Sequence, residues 1–544
     1  MRPITIAVAL LVALGVVGCT KGKFASGEAK PVPGTFRYPI VTNPTSLDPG
    51  IVQDGDTLDL IQQVYEGLVT WSPENVVVGA LAESWDIVDE GKTYVFHLRK
   101  GVKFHSGREC KAQDVKWSIE RNAVSGLEST TIDAYLSDVV GVADVVKQQR
   151  ERNNKRLPSI IIDIPGIKVI DDYTLSLTLQ RPTPYFLGKL TYLVSAPVDK
   201  DFVTLGKEMT DVAQMVGTGP YKMSRYERNQ LVELVAFDDY HGGRPAIDKI
   251  ERPVVTDPAT RLNKYKNGEL DLVMLERQDI KGLVGTEYED QLVYFERPAI
   301  WYVGLNQLML KEFKDKRVRQ AVAMAIDKER IVNEVLAGHN TIARGIVPPG
   351  VPGHRKDAAG LAFDPDKAKQ LLADAGYPNG QGFPELTINF REERPDIELA
   401  ATAVAGDLKK YLNINVHLQT MEWRAYLAKY NNDELVFFHM RWGADYLDPQ
   451  NFLSHMLATF GPENNIGYNN PNFDRLCRQA DSMMDMAARL PLYAQAEDIV
   501  LDDAVWVPIY FQRDAELHRP WLEDMRGSIF GHLPHTTTSI AVQK

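Results

Sequence analysis

Glu385-Leu386-Thr387-Ile388-Asn389-Phe390 is followed by a stretch from Asp396 to Tyr411 and then by Ile414-Asn415-Val416-His417-Leu418. The two flanking runs alternate apolar and polar residues, the period of a strand with one buried face. The stretch between them reads as a helix. Strand, helix and strand in that order predict parallel neighbours in an α/β fold. Working outward, Thr93-Tyr94-Val95-Phe96-His97-Leu98-Arg99 and the segment from Asp172 to Leu179 alternate in the same way and predict two more strands. Two helices carry their own punctuation. Asp364 can cap a helix whose first turn holds Pro365 and Asp366; Ala368, Leu371, Leu372 and Ala375 share a face, and Gly376 closes it. The other runs from Arg317 to about Ala337, with Val318, Val322, Ala325 and Ile326 at helical spacing. Asp327 can cap a second helix inside it, which ends at Gly338.

The N-terminus predicts export. Met1-Arg2 supplies a positive start, an apolar run extends from Ile4 through Val17, and Val16-Val17-Gly18-Cys19 ends it before Thr20-Lys21-Gly22-Lys23. A charged start, a short apolar run and a small residue before the cut site make a secretory signal. The run falls short of the ~20 residues a membrane-spanning helix needs. Val-Val-Gly-Cys resembles the bacterial lipobox, which implies residues 1–19 as a signal segment with Cys19 as the lipidated first residue of the mature chain. Residues 20–34, rich in Gly, Lys, Pro and Ser, then read as a flexible tether.

The rest of the 544 residues exceeds one ordinary domain. Apolar residues make up 44% and charged residues 25%, a globular balance. The net charge of -12 argues against a nucleic-acid partner, because neutralising phosphates needs a basic surface. Of the three cysteines, Cys110 and Cys477 remain once Cys19 is set aside, and they are read as two separate thiols. No Cys-x-x-Cys offers a thiolate metal site. The segment Val146 to Pro158 is basic in an acidic chain and is read as a solvated helix end and loop, with an anionic surface as the competing reading.

Ordered fragments across most of the chain resemble a known family. They are Ser46-Leu47-Asp48-Pro49, Val64-Tyr65-Glu66-Gly67-Leu68, Leu81-Ala82-Glu83-Ser84-Trp85, and the block from Phe96-His97-Leu98-Arg99 to Phe104-His105-Ser106-Gly107 with Asp114, Val115 and Ser118. Val216-Gly217-Thr218-Gly219-Pro220-Tyr221, Tyr240-His241-Gly242-Gly243-Arg244-Pro245 and Val318-Arg319-Gln320-Ala321 with Ala325-Ile326-Asp327 continue the series. The chain resembles the extracytoplasmic solute-binding proteins of the peptide/nickel class, family 5, which serve ABC importers. The resemblance implies an α/β, two-lobed periplasmic-binding-protein fold, class II-like and of the large cluster C type, with an extra subdomain. By analogy, residues 35–62, 201–300 and 509–544 form lobe I, 63–200 its extra subdomain and 301–508 lobe II. It also implies a monomer without cofactor, on the periplasmic or cell-surface side of a bacterial membrane. Gly217, Gly219, Pro220, Trp85 and the Leu-Arg-Lys-Gly-Val-Lys-Phe run are read as structural.

The candidate binding segment is Arg441-Trp442-Gly443-Ala444-Asp445-Tyr446-Leu447-Asp448-Pro449. It resembles the peptide-binding members, in which the aspartate accepts a peptide's α-ammonium; here that is Asp445. A charge-assisted hydrogen bond between a desolvated carboxylate and an arriving cation suits the task. Trp442 and Trp423 are expected as side-chain pocket walls, Tyr510 and Tyr135 as further cleft residues. Where some members carry an arginine for the ligand carboxylate, this chain holds His439, with Arg441 two residues away. Gln53 stands where some oligopeptide binders have an acidic residue. The implied role is delivery of di- or oligopeptides to permease subunits. Nickel chelates, haem, oligosaccharides or opines are alternative cargoes, and sensing or chaperoning an alternative role. An enzyme is disfavoured: Gly-x-Ser-x-Gly, His-Glu-x-x-His and phosphate-loop patterns are absent from the sequence. His532-x-x-His535 is the nearest approach to a metal pair and is read as incidental, so no metal site is expected.

Overall fold

A computed structural model describes residues 30–392 and 395–541. The signal segment, Cys19 and the tether up to residue 29 lie outside the described residues. Strand Leu386–Arg391 pairs in parallel with Val416–Met421, in register from Leu386↔Val416 to Arg391↔Met421, and helix Pro395–Leu412 joins them. Ile397, Ala401, Val404 and Leu408 on that helix are buried. Removal of each larger apolar side chain from water contributes roughly 1.5–3 kcal/mol. The second strand starts two residues later than its apolar pattern suggests, because Asn415 and Ile414 complete the helix–strand turn.

These strands belong to a seven-stranded mixed sheet. Its centre is a pair of long antiparallel strands, Leu292–Leu305 and Trp506–His518. The expected boundaries at 300/301 and 508/509 fall inside these two strands, which run on without a break. One core, with Val318, Val322, Ala325, Leu372 and Leu408, covers one face of the sheet. The other face packs on a second core built from Tyr426, Phe438, Phe473, Tyr493 and Trp506. Asp364 and Asp327 cap as predicted, accepting from the backbone N–H of Lys367 and Arg330. The second helix is only one turn, Lys328–Arg330, continued by a π turn over Ile331–Val335.

Residues 68 to 194 hold a core of their own around the antiparallel sheet Ala82–Val88, Thr93–Leu98, Thr174–Thr178 and Ile167–Asp171. Another four-stranded sheet orders Thr35–Arg37, Lys249–Pro253, Leu231–Ala236 and Tyr221–Glu227. Between these two units, Asp48 of the Ser-Leu-Asp-Pro motif is fully buried and accepts from both terminal nitrogens of Arg121, at 3.0 and 2.5 Å. Removing one partner would strand a buried charge, which explains why an apparently bland motif carries an aspartate. The basic segment forms the end of helix Val142–Asn154, with Val142, Val145, Val146 and Gln149 inward. Arg150 pairs with Asp133. Cys110 and Cys477 are separate buried thiols. Among the described residues, no helix is long and apolar enough to cross a membrane.

Candidate functional site

The loop after strand Phe437–Gly443 is fixed from below. The strand pairs with Leu292–Leu305 through Ile300↔Trp442 and Trp301↔Arg441, and the Ala444 N–H then donates to the Pro298 carbonyl at 2.8 Å. Asp448 is buried and held by both terminal nitrogens of Arg489, at 2.6 and 3.0 Å. It also accepts from the Gln450 N–H, starting the short 3₁₀ turn Pro449–Asn451. That turn delivers Asn451 to the loop. Its Oδ1 accepts from the Asp445 N–H at 3.0 Å, and its Nδ2 donates to Asp445 Oδ2 at 3.4 Å. Asp445 is thereby aimed at a cavity of about 440 Å³.

The cavity gathers residues from distant parts of the chain. Gln53, Asp59, Glu66 and Arg99 come from the N-terminal third, Arg297, Arg441 and Asp445 from the paired strands and loop, and Arg526 and His532 from the C-terminus. Its carboxylates are not equivalent. Asp59 pairs with Arg252 at 2.6 Å, and Glu66 accepts from Tyr240 at 2.7 Å and lies 3.1 Å from His241. Asp445 has no ion pair among the described residues. Desolvation raises its pKa to about 6, against the hydrogen bonds from Asn451 and Tyr135 and the charge of Lys189. The site therefore holds a carboxylate that a cation would stabilise in its charged form.

The predicted residues divide sharply. Asp445, Arg441 and Gln53 line the cavity. The Gln53 amide bonds Thr130. Tyr135 reaches the site from helix Thr131–Leu136: it is 7% exposed, stacks on Tyr192 at 4.0 Å and lies near enough to Asp445 to hold its carboxylate's pKa down. Trp442 does not form a wall. Strand alternation points it away from Arg441 into the second core, where its Nε1 donates to the Asn451 carbonyl at 2.9 Å. It acts beneath the loop. Trp423 stacks on Tyr426 and has the Arg391 guanidinium 4.9 Å over its ring, away from the cavity lining. Tyr510 is 1% exposed and packs on Trp301. His439 is buried against the same Trp301, and burial together with the Arg391 charge pushes its pKa down to about 3. A neutral imidazole there offers no charge to a ligand carboxylate.

The guanidiniums that do reach the cavity are Arg99, Arg297, Arg441 and Arg526. Arg441 Nε donates to Gln512 at 2.7 Å, Arg99 Nε to the Ala80 carbonyl at 2.8 Å, and Arg297 pairs with Asp514 at 3.1 Å. Sequence reasoning placed Arg99 inside a structural run and passed over Glu66 and His241, although each sits in a quoted motif. A charged residue kept within an apolar strand motif was the available signal. His532 Nε2 lies 3.0 Å from the buried Glu516 carboxylate, because the short hairpin Gly527–Ser528 and Gly531–His532 folds it onto the long strand. His535 turns elsewhere, to the Tyr38 hydroxyl at 2.9 Å.

Known proteins place this architecture. The family of bacterial extracellular solute-binding proteins, family 5, matches residues 76–464. Haem-binding protein A of Haemophilus influenzae is 30% identical over 87% of this chain and 86% of its own length. The periplasmic oligopeptide-binding protein OppA of Escherichia coli is 28% identical over 89% and 88%. A solved periplasmic oligopeptide-binding protein of Borrelia burgdorferi, 27% identical, superposes with a TM-score of 0.78 over 93% of this chain and all of that one, and shares the two-lobed α/β fold. The chain belongs to the bacterial extracellular solute-binding proteins of family 5, transport receptors and not enzymes.

Proposed function

We propose that this chain is the exported receptor of an ABC importer and captures a di- or oligopeptide in the interlobe cavity for delivery to the permease. The observation that carries this is Asp445, a desolvated carboxylate on the cavity wall that only neutral side chains hydrogen-bond. A peptide α-ammonium supplies the missing cation. The guanidiniums of Arg99, Arg297, Arg441 and Arg526 suit the carboxylates at the peptide's other end or on its side chains. The names of the oligopeptide-binding relatives agree with this reading. Trp442 supports the loop, and Tyr135 completes the carboxylate's surroundings. Lipidation at Cys19 would hold the receptor at the membrane. A Cys19→Ser chain is expected to leave the membrane fraction, and persistence there would refute the anchor.

Haem is the second reading, favoured by the name of one relative and by His241 and His532 on the cavity wall. His241 pairs with Glu66 and His532 with Glu516, at 3.1 and 3.0 Å. Native mass spectrometry of the purified protein, followed by denaturing release, separates the two. Released peptide supports the first reading; haem released without peptide, with a Soret band on titration, sinks it.

A further inference from the structure

Glu516 and His518 are two apart on strand Trp506–His518, so both side chains emerge on one face. The hairpin carrying Gly531–His532 lays a second imidazole against them. His518 Nε2 and His532 Nε2 lie 2.7 and 3.0 Å from the same oxygen, Glu516 Oε2. All three potential ligand atoms fall within 4.8 Å of one another. The side chains are 2%, 22% and 13% exposed for Glu516, His518 and His532. We propose that Glu516, His518 and His532 form a binding site for a divalent first-row transition ion of the zinc type, set beside the cargo cavity that His532 lines. This does not rest on the cargo being a peptide.

The geometry is close to what such an ion needs. Metal–nitrogen and metal–oxygen bonds of roughly 2.0–2.2 Å at tetrahedral angles separate neighbouring donor atoms by roughly 3.3 Å. The two observed separations would have to open by about 0.6 and 0.3 Å, within reach of side-chain rotations. Two imidazoles and one carboxylate are borderline ligands that suit zinc, nickel or copper better than magnesium or calcium, which take all-oxygen shells. Three protein ligands leave the fourth position to water. A second-shell acceptor is also in place: Asp59 Oδ1 lies 3.9 Å from His532 Nδ1, so a slight ring rotation lets that N–H donate and frees Nε2 for the ion.

The charges facing the site are mixed. Asp59, from helix Gly55–Ile61, and Glu516 are anionic; Arg252, from strand Lys249–Pro253, pairs with Asp59 at 2.6 Å and opposes a cation. His535 packs near His532 with ring centroids 6.0 Å apart, and burial holds it well below the usual imidazole pKa, so it adds no charge at neutral pH. Without an ion, protons compete. Metal binding therefore displaces protons and weakens in acid.

The test is a Zn²⁺ titration of the chelator-stripped full chain in competition with a chromophoric chelator. Co²⁺ visible absorption serves as a second readout of the ligand sphere. One equivalent bound at micromolar or better affinity is expected. His518→Ala, His532→Ala and Glu516→Gln are each expected to weaken it by about 100-fold and to abolish the Co²⁺ band. His241→Ala, which changes the other cavity histidine, should leave both unchanged. Zn²⁺ should raise the Tm of the starting protein and not of the three variants, whose own Tm without metal reports whether they fold. If Glu516→Gln fails to fold, the two histidine variants decide. No stoichiometric binding, or binding that survives in His518→Ala and His532→Ala, overturns the proposal.

Discussion

Asp445 and Asp448 are three residues apart on one loop and have opposite circumstances. Asp448 is buried and clasped by Arg489 on two sides, with the 3₁₀ turn built on top of it. Asp445 faces the cavity with Asn451, Tyr135 and its own backbone ties, and no cation among the described residues. The first charge is neutralised by the fold and stabilises the loop; the second is left for something from outside to neutralise. The contrast separates scaffold from site within a few residues of identical chemistry. It also shows what makes a carboxylate a recognition group here: withheld compensation, not mere presence.

The sharpest way to break that contrast is to remove the compensation from Asp448. Arg489→Met strands a buried carboxylate and is expected to cost about 3–5 kcal/mol of stability, read as a fall in denaturant midpoint, with cargo binding lost because the loop goes with it. The matching change at the other aspartate behaves oppositely. Asp445→Asn should leave the denaturant midpoint unchanged or slightly higher, since a neutral amide replaces a desolvated charge. It should weaken peptide binding by about 10- to 100-fold in calorimetry, the worth of one charge-assisted hydrogen bond. Loss of stability in Asp445→Asn would mean that this carboxylate is structural after all.

Protonation makes the same comparison without mutation. The free protein's Asp445, with its pKa near 6, must be deprotonated to receive an ammonium. Affinity should therefore be greatest between pH 6 and the α-ammonium's own pKa near 8, and fall as pH drops through 6, by about tenfold between pH 7 and 5. The dependence should vanish in Asp445→Asn. Tyr135→Phe is the mildest probe. Losing one donor to the carboxylate should raise its pKa, moving the midpoint of the affinity–pH curve upward by about half a unit, with a change of about threefold in affinity on the acid side of the midpoint. A downward move would show that the hydroxyl opposes the carboxylate's charged form.

Much of the frame was legible in local sequence. The parallel pair and its helix follow from the alternation at 385–390 and 414–418 and from the apolar stripe between them, because those periods are set by backbone geometry within one segment. The Asp364 and Asp327 caps follow for the same reason. The site was less legible. Alternation already implies that Arg441 and Trp442 point to opposite faces, but which face meets the cavity depends on packing from both cores. Trp442, Trp423, Tyr510 and His439 were drawn towards the ligand by their chemistry, and the fold put them underneath it. Arg99 and Arg526 were missed, and His532 was weighed only against His535, because their proximity arises only when chain separated by hundreds of residues is brought together.

One detail of the central strand pair has a mechanical meaning. The ladder between Leu292–Leu305 and Trp506–His518 loses register between Glu296 and Ile300, where Pro298 has no N–H to give, and again between Trp301 and Tyr302. Arg297 and Pro298 at the first fault line the cavity, and Gln512 opposite them grips Arg441. Where cross-strand rungs are missing a two-stranded ribbon resists bending least, and here that weak point borders the cavity.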